Sequence, residues 1–428
     1  MCNTNACCPP AEIFQEEICG NFNGPLTASE VWSASPGDYI QGTFQIFNDP
    51  SSLSTVTGTG NATPAINLSA APGNTDSQSV KRPTSFSITA AAGDSGTYCV
   101  TLYRNLNNVP TPPPAVCRFL VYVTNAGPED SREDDTVSVI DSQTNTVVAT
   151  VPVGDAPLEV AVTPNGTRAY VPNFFGNTVS IIDTATNTNI ATIPVGNGPL
   201  GVAVSPDGSI VYVSNHGNGP IPGNTVSVIS TATNTVIDTI TVGLGPEGIA
   251  FSSDGTIAYV TNELSDTVSV INTATNTVVA TIPVGDRPRK VVFTPDGTLA
   301  YVTNQGGITV SVIDVGTNSV IDTISVGSSP VGIDITPNGT RMYVVNKGDN
   351  TESVIDPATN SVIDTIEVGS SPDQVAILPD GTLAYVTNQG SNTVSVIDVT
   401  TNTVIDTVPV GEFPTGIDTG TICLPPTL

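Results

Sequence analysis

The chain has 428 residues, enough for two domains, and its net charge of -28 excludes electrostatic binding to nucleic acid or to anionic membranes. Gly (39) and Pro (35) are frequent, Thr, Val and Asn abound, and only 12% of residues are charged, so the chain reads as all-β. No stretch reaches the ~18 consecutive apolar residues of a membrane-spanning helix.

Residues 1–19 read as a flexible, cysteine-rich connector. Its start, MCNTNACC, has neither a basic run nor an apolar core, so no Sec-type export signal is expected. Cys7 and Cys8 are adjacent, with Cα atoms ~3.8 Å apart, below the usual disulfide range. Pro9 and Pro10 favour an extended segment, in which neighbouring side chains point opposite ways. The pair is therefore suited to two different partners. A zinc site built from Cys2, Cys7, Cys8 and Cys19 is the rival reading. Against it, there is no Cys-x-x-Cys spacing and His216, the sole histidine, lies far away in sequence.

Residues 20–106 follow as a module of short strands between Gly, Pro and Asn turns: TASEVWSA, DYIQGTFQIFN, SLSTVT, PAINLSA, PTSFSITA and SGTYCVTLYRNL. So many strands in so short a segment predict a β-sandwich or jelly roll, with Trp32, Phe44, Ile46 and Phe47 in its core. The ACCPP stretch, the gap to Cys19, VW in the first strand, GTFQIFN and the late GTYCVTL together resemble the subunits of bacterial endospore appendages. In that family a jelly-roll subunit stacks edge to edge into a fibre, and a connector bearing a Cys-Cys pair forms disulfides to neighbouring turns. The resemblance implies that Cys7 and Cys8 form intermolecular disulfides, with Cys19 and Cys99 as the partners on the body; Cys2 joins this set without an assigned partner. It also implies a homo-oligomeric helical fibre held by β-sheet augmentation. The expected location is a spore-surface appendage, assembled in the mother cell without a Sec signal.

NNVPTPPPA falls within a stiff, extended linker over 107–116. From 117 to 428 the sequence is periodic. VSVID-like strings start at 137, 179, 226, 268, 310, 352 and 394, and YVTN-like strings at 122, 170, 212, 259, 301, 343 and 385. Each unit of about 42 residues carries four short strand-like segments, with Asp-Gly or Asn-Gly turns at 164–166, 206–208, 295–297, 337–339 and 379–381. That is the signature of a seven-bladed β-propeller. The first repeat lacks an inner strand and the chain ends with a lone one, so strand 411–423 is expected to complete the first blade. Aligned in register, Cys117 and Cys423 fall where other blades have their hairpin turn. A Cys117–Cys423 disulfide would staple the ring, a closure worth roughly 4–5 kcal/mol. The units resemble the YVTN-repeat β-propellers of prokaryotic surface-layer proteins, a likeness that speaks for fold rather than activity.

Loops between second and third strands and loops between blades are expected on one rim of the propeller. Two residues beyond the Pro of each inter-blade loop, four blades carry Gly and the others carry Glu159, Lys290 and Gln374, candidate ligand contacts on the channel rim. An ordinary Glu–Lys surface contact accounts for them equally well, and His216 reads as a solvated loop residue. No metal, cofactor or catalytic residue is expected. The blades are nearly identical and histidine is scarce, so the chain reads as a structural fibre subunit displaying a propeller for adhesion, ligand binding or protection, and not as an enzyme. The alternatives are a lactonase- or lyase-like propeller and a non-fibrous surface-layer or glycan-binding protein. A surface glycan or protein is the ligand expected for the propeller.

Overall fold

The computed structural model describes residues 13–34, 39, 41–105, 116–127 and 135–424; Cys2, Cys7 and Cys8 lie outside them. It divides into two units, before and after Pro114. The first holds β1 (Ile13–Asn23), β2 (Leu26–Ser33), β3 (Gln41–Asn48), β4 (Val56–Gly60), β5 (Ile66–Ala70), β6 (Thr75–Lys81), β7 (Ser85–Ala90) and β8 (Ser95–Asn105). Their sheets run β1-β8-β3-β6 and β2-β7-β4-β5, the interleaving of a jelly roll. In β3 the side chains alternate, so Phe44 and Ile46 are fully buried and pack with Trp32, Phe86, Ile88 and Leu102. Phe47, expected in that core, is only half-buried, because the period of two turns it to the opposite face. The first strand begins at Ile13, inside the segment expected as connector, and it carries Cys19 into the ladder opposite Cys99.

The second unit contains seven four-stranded sheets. The first blade combines Val116–Asn125, Thr136–Asp141 and Thr146–Pro152 with the C-terminal strand Pro414–Leu424, whose register puts Cys423 opposite Cys117. Cys117 is disulfide-bonded. The Asn-Gly and Asp-Gly hairpins form as expected, but only their glycines take positive φ, for example Gly208 at 71°. The amide of Gly208 donates to Ser205 O and that of Ser205 to Ile210 O, so the hairpin is a tight turn followed by a left-handed glycine.

The repeat strings have distinct physical jobs. In the YVTN strands the tyrosines are fully buried, and five donate a hydrogen bond to an asparagine in a turn of the following blade. The Tyr385 hydroxyl reaches Asn145 at 2.9 Å and so carries this series from the seventh blade to the first. The asparagine of the same string donates to the Thr and Ser of the third strand, as Asn304 does to Thr309 (3.1 Å) and Ser311 (3.0 Å). In five blades the residue before that asparagine is a fully buried Thr or Ser. Thr261 Oγ1 accepts the amide of Gly248 (2.8 Å) and donates to the carbonyl of Arg289 in the next blade (2.7 Å). This hydroxyl therefore fixes both inter-blade segments that carry the rim side chains.

Candidate functional site

Three repeat positions converge on one rim of the propeller: the first and second residues after each inter-blade proline, and the residue after the YVTN asparagine. Glu159, Lys290 and Gln374, the residues singled out in the sequence, are brought together. Lys290 Nζ lies 2.8 Å from Glu159 Oε2, and Gln374 Nε2 donates to Glu159 Oε1 at 3.2 Å. All three line a channel cavity of about 280 Å³. Glycine holds the equivalent position where neighbouring inner strands approach too closely for a side chain. A Cβ at Gly201 would lie 1.8 Å from the carbonyl oxygen of Glu247.

Around this trio the structure adds charged groups that scanning a single repeat position missed. Arg289 Nε is 2.7 Å from Glu247 Oε1, Arg287 Nη2 is 2.9 Å from Glu263 Oε1, and Lys347 Nζ is 2.6 Å from Asp373 Oδ1. Lys347 also donates to Gln389 Oε1 at 3.0 Å. Lys290, Arg287, Arg289 and Lys347 are four of the chain's 11 basic residues, so a very acidic protein concentrates its cations here. Reading the other two repeat positions across the blades would have exposed the cluster, since Glu247, Arg289 and Asp373 share one position and His216, Glu263 and Lys347 the other.

The electrostatics follow from burial and pairing. The hydrogen bond between His216 Nε2 and Glu263 Oε2 (2.9 Å) raises the imidazole above its ordinary value and, with Arg289, His216 and Arg287 outweighing burial, holds Glu263 down at about 2. Nδ1 of His216 faces Gly217 O at 3.1 Å, so both ring nitrogens are engaged and the residue is anchored, not the solvated histidine expected. Burial raises Glu159 despite Lys290. At Asp373 burial is outweighed by Lys347 and Arg289, and its carboxyl is lowered. Glu247 differs: it is 1% exposed, burial pushes it up to about 7, and its Oε2 has no hydrogen-bond partner. Such a carboxyl exchanges protons near neutrality. Deeper in the cavity, Asp334 and Asp418 accept the amides of Ile377 (2.8 Å) and Val162 (2.7 Å) in the next blade, and so tie inner strands together.

In the first domain Cys19 and Cys99 are bonded to each other, with Cα atoms 4.2 Å apart. The β1–β8 register sets them directly opposite, so within one chain the two expected partners of the connector cysteines hold each other and are not free thiols. Cys19 is exposed and Cys99 half-buried. Glu17 lies beside them, but a disulfide offers a metal no thiolate.

The comparisons with known proteins divide along the same boundary. Residues 5–107 match the endospore appendages family. Residues 134–271 match the family described as lactonase, 7-bladed beta-propeller, and residues 263–419 the choice-of-anchor I domain. The first module thus resembles endospore appendage subunits and the second a seven-bladed lactonase-type propeller. Solved structures of similar fold include a functionally unknown protein from Desulfotomaculum acetoxidans (19% identity, TM-score 0.62, covering 72% of this chain and 100% of that one). A periplasmic gluconolactonase of Pseudomonas aeruginosa (20%, 0.60, 73% and 100%) and a putative 6-phosphogluconolactonase from Bacteroides uniformis (17%, 0.59, 71% and 99%) are also similar. No curated protein matches the chain.

The match of residues 134–271 to the lactonase family overturns the expectation that the chain is not an enzyme. The argument from near-identical blades fails for a physical reason. The blades are alike where they pack, but they differ at the rim, where Glu247, Arg289, Asp373 and Lys347 break the symmetry.

Proposed function

We propose that the chain is a subunit of a self-assembling endospore appendage that displays a propeller with a charged channel mouth. The observation that carries this reading is the match of residues 5–107 to the endospore appendages family, on a jelly roll whose Cys19–Cys99 bridge is accessible. In this reading copies stack through sheet edges, and Cys7 and Cys8 of one copy reach others. A Cys7 thiolate attacks the Cys19–Cys99 bond of another copy, forming a Cys7–Cys19 disulfide and releasing Cys99 as thiolate, so no oxidant is consumed. Cys117 and Cys423 close the propeller ring, a role supported by their register and by the bonded state of Cys117. Negative-stain imaging of recombinant protein tests the reading. Fibres are expected, and Cys7→Ser with Cys8→Ser should weaken them while the propeller stays folded. Monomers under both oxidising and reducing conditions would sink it.

A second reading, hydrolysis of a lactone at the channel mouth, is favoured by Glu247, buried beside Arg289 with a carboxyl poised near neutrality. The residues offer a proton-transferring carboxyl and a guanidinium able to hold developing negative charge. Gluconolactone hydrolysis followed in a pH-stat is expected to exceed the uncatalysed rate and to fall at least tenfold in Glu247→Gln, in keeping with the usual range for a positioned acid–base group. A rate equal to buffer alone removes this reading and leaves the appendage reading standing.

A further inference from the structure

The rim is not charged all the way round. Where blades one, two and seven meet, a separate cavity of about 390 Å³ is lined by Leu158, Phe174, Phe175 and Phe413, with Asp135, Asp155 and Gln389 as its polar groups. Phe174 and Phe175 pack edge to face, with centroids 5.1 Å apart. Both occupy repeat positions that are polar or small in most other blades: Glu263, Gln305 and Lys347 correspond to Phe174, and Gly306, Gly348 and Gly390 to Phe175.

Two of these rings are displayed to solvent. Phe175 is 50% exposed and Phe413 44% exposed, so neither is explained by core packing. Phe413 has φ 50°, the left-handed conformation that this loop position takes in every blade, with Ala156, Gly198, Gly245, Arg287, Ser329 and Ser371 at the others. The Phe413 backbone is clamped on both sides: its amide donates to Asn392 Oδ1 (3.1 Å) and its carbonyl accepts from Ala126 N (3.1 Å). The ring is therefore held at the cavity by a fixed backbone.

From this geometry we infer that the cavity binds a neutral saccharide. A pyranose presents flat C–H faces, which aromatic rings cover, and an edge of hydroxyls, which carboxylates and an amide engage. Phe174, Phe175 and Phe413 supply the first, and Asp135, Asp155 and Gln389 the second. Among the described residues the side-chain charges that line the cavity are those of Asp135 and Asp155, which disfavour an anionic ligand. Asp135 and Asp155 each already carry an interaction, so a sugar hydroxyl would share the carboxylate with it. The cavity lies at the small end of the range for ligand sites, a fit for a mono- or disaccharide. This assignment is independent of any hydrolysis at the channel mouth.

The test is saturation-transfer NMR and calorimetric titration of the full chain with glucose, N-acetylglucosamine and cellobiose, with spermidine and benzoate as cationic and anionic controls. Saccharide binding is expected, and Phe175→Gly and Phe413→Gly should each weaken it roughly tenfold or more, as for loss of a stacking ring. Both substitutions install the residue that other blades hold at the same position, so an unchanged propeller melting temperature would show that the fold survives. Three outcomes would each overturn the assignment: no saccharide signal, binding undiminished in both variants, or spermidine binding that Phe175→Gly abolishes while sugars do not bind.

Discussion

In the first domain a single cluster, with Phe44, Phe86, Ile46 and Ile88 at its centre, fills the space between two sheets. The propeller instead divides its core among inter-blade clusters, each built from a strand-two tyrosine or valine and its β-branched neighbours. The sandwich also adds a covalent link between its first and last strands; the propeller, besides its disulfide-bonded Cys117, adds a repeated Tyr–Asn hydrogen bond between blades. A domain with one core is only as strong as that core. A ring with many equivalent contacts tolerates a defect at one of them, and this freedom lets individual blades carry unusual residues.

The largest effect that would sharpen this contrast is expected from Phe44→Ala. It should remove about 3–5 kcal/mol from the sandwich, the usual cost of a buried aromatic deletion, and leave the propeller transition in place. Differential scanning calorimetry would reveal it; loss of both transitions together would contradict independent cores.

An intermediate effect is expected at Glu352. This side chain is fully buried in the sixth blade, where other blades have valine, and neither carboxylate oxygen has a partner. Burial, with nearby Asp334, pushes it up to about 8 from an ordinary 4.5. The folded state thus binds the proton more tightly than the unfolded state. The stability tied to that proton is fully present below pH about 4.5 and is lost as pH rises through about 8. Glu352→Val should stabilise the propeller by about 1–4 kcal/mol at neutral pH and flatten the fall in its melting temperature between pH 5 and 8, the region set by those values. An unchanged pH profile would mean that the carboxyl finds partners in solution.

The smallest effect probes the bolts themselves. Tyr301→Phe removes a 3.0 Å hydrogen bond to Asn360 and should cost about 1 kcal/mol. Tyr122→Phe removes a hydroxyl without a partner and should cost nothing or stabilise slightly. Urea denaturation of both variants would separate them, and equal losses would refute the bolting role.

Much of the fold was legible because repetition repeats its physics: the left-handed glycines, the YVTN strands and the strand that closes the ring all follow from local patterns. Of the rim, Glu159, Lys290 and Gln374 were legible because one repeat position varies between blades. Glu247, Arg289 and Asp373 were missed because only the second residue after each inter-blade proline was compared across the blades, and they occupy the first.

The sequence by itself determined the blade count and the pairing of the propeller's first and last strands, since these rest on turn chemistry, period-two patterning and a first repeat that lacks its inner strand. Only the tertiary structure decided that Cys19 meets Cys99, that His216 is anchored by Glu263, and that three phenylalanines share one cavity. Those relations depend on which strands and blades become neighbours, and closure of sheets and ring, not local propensity, sets that.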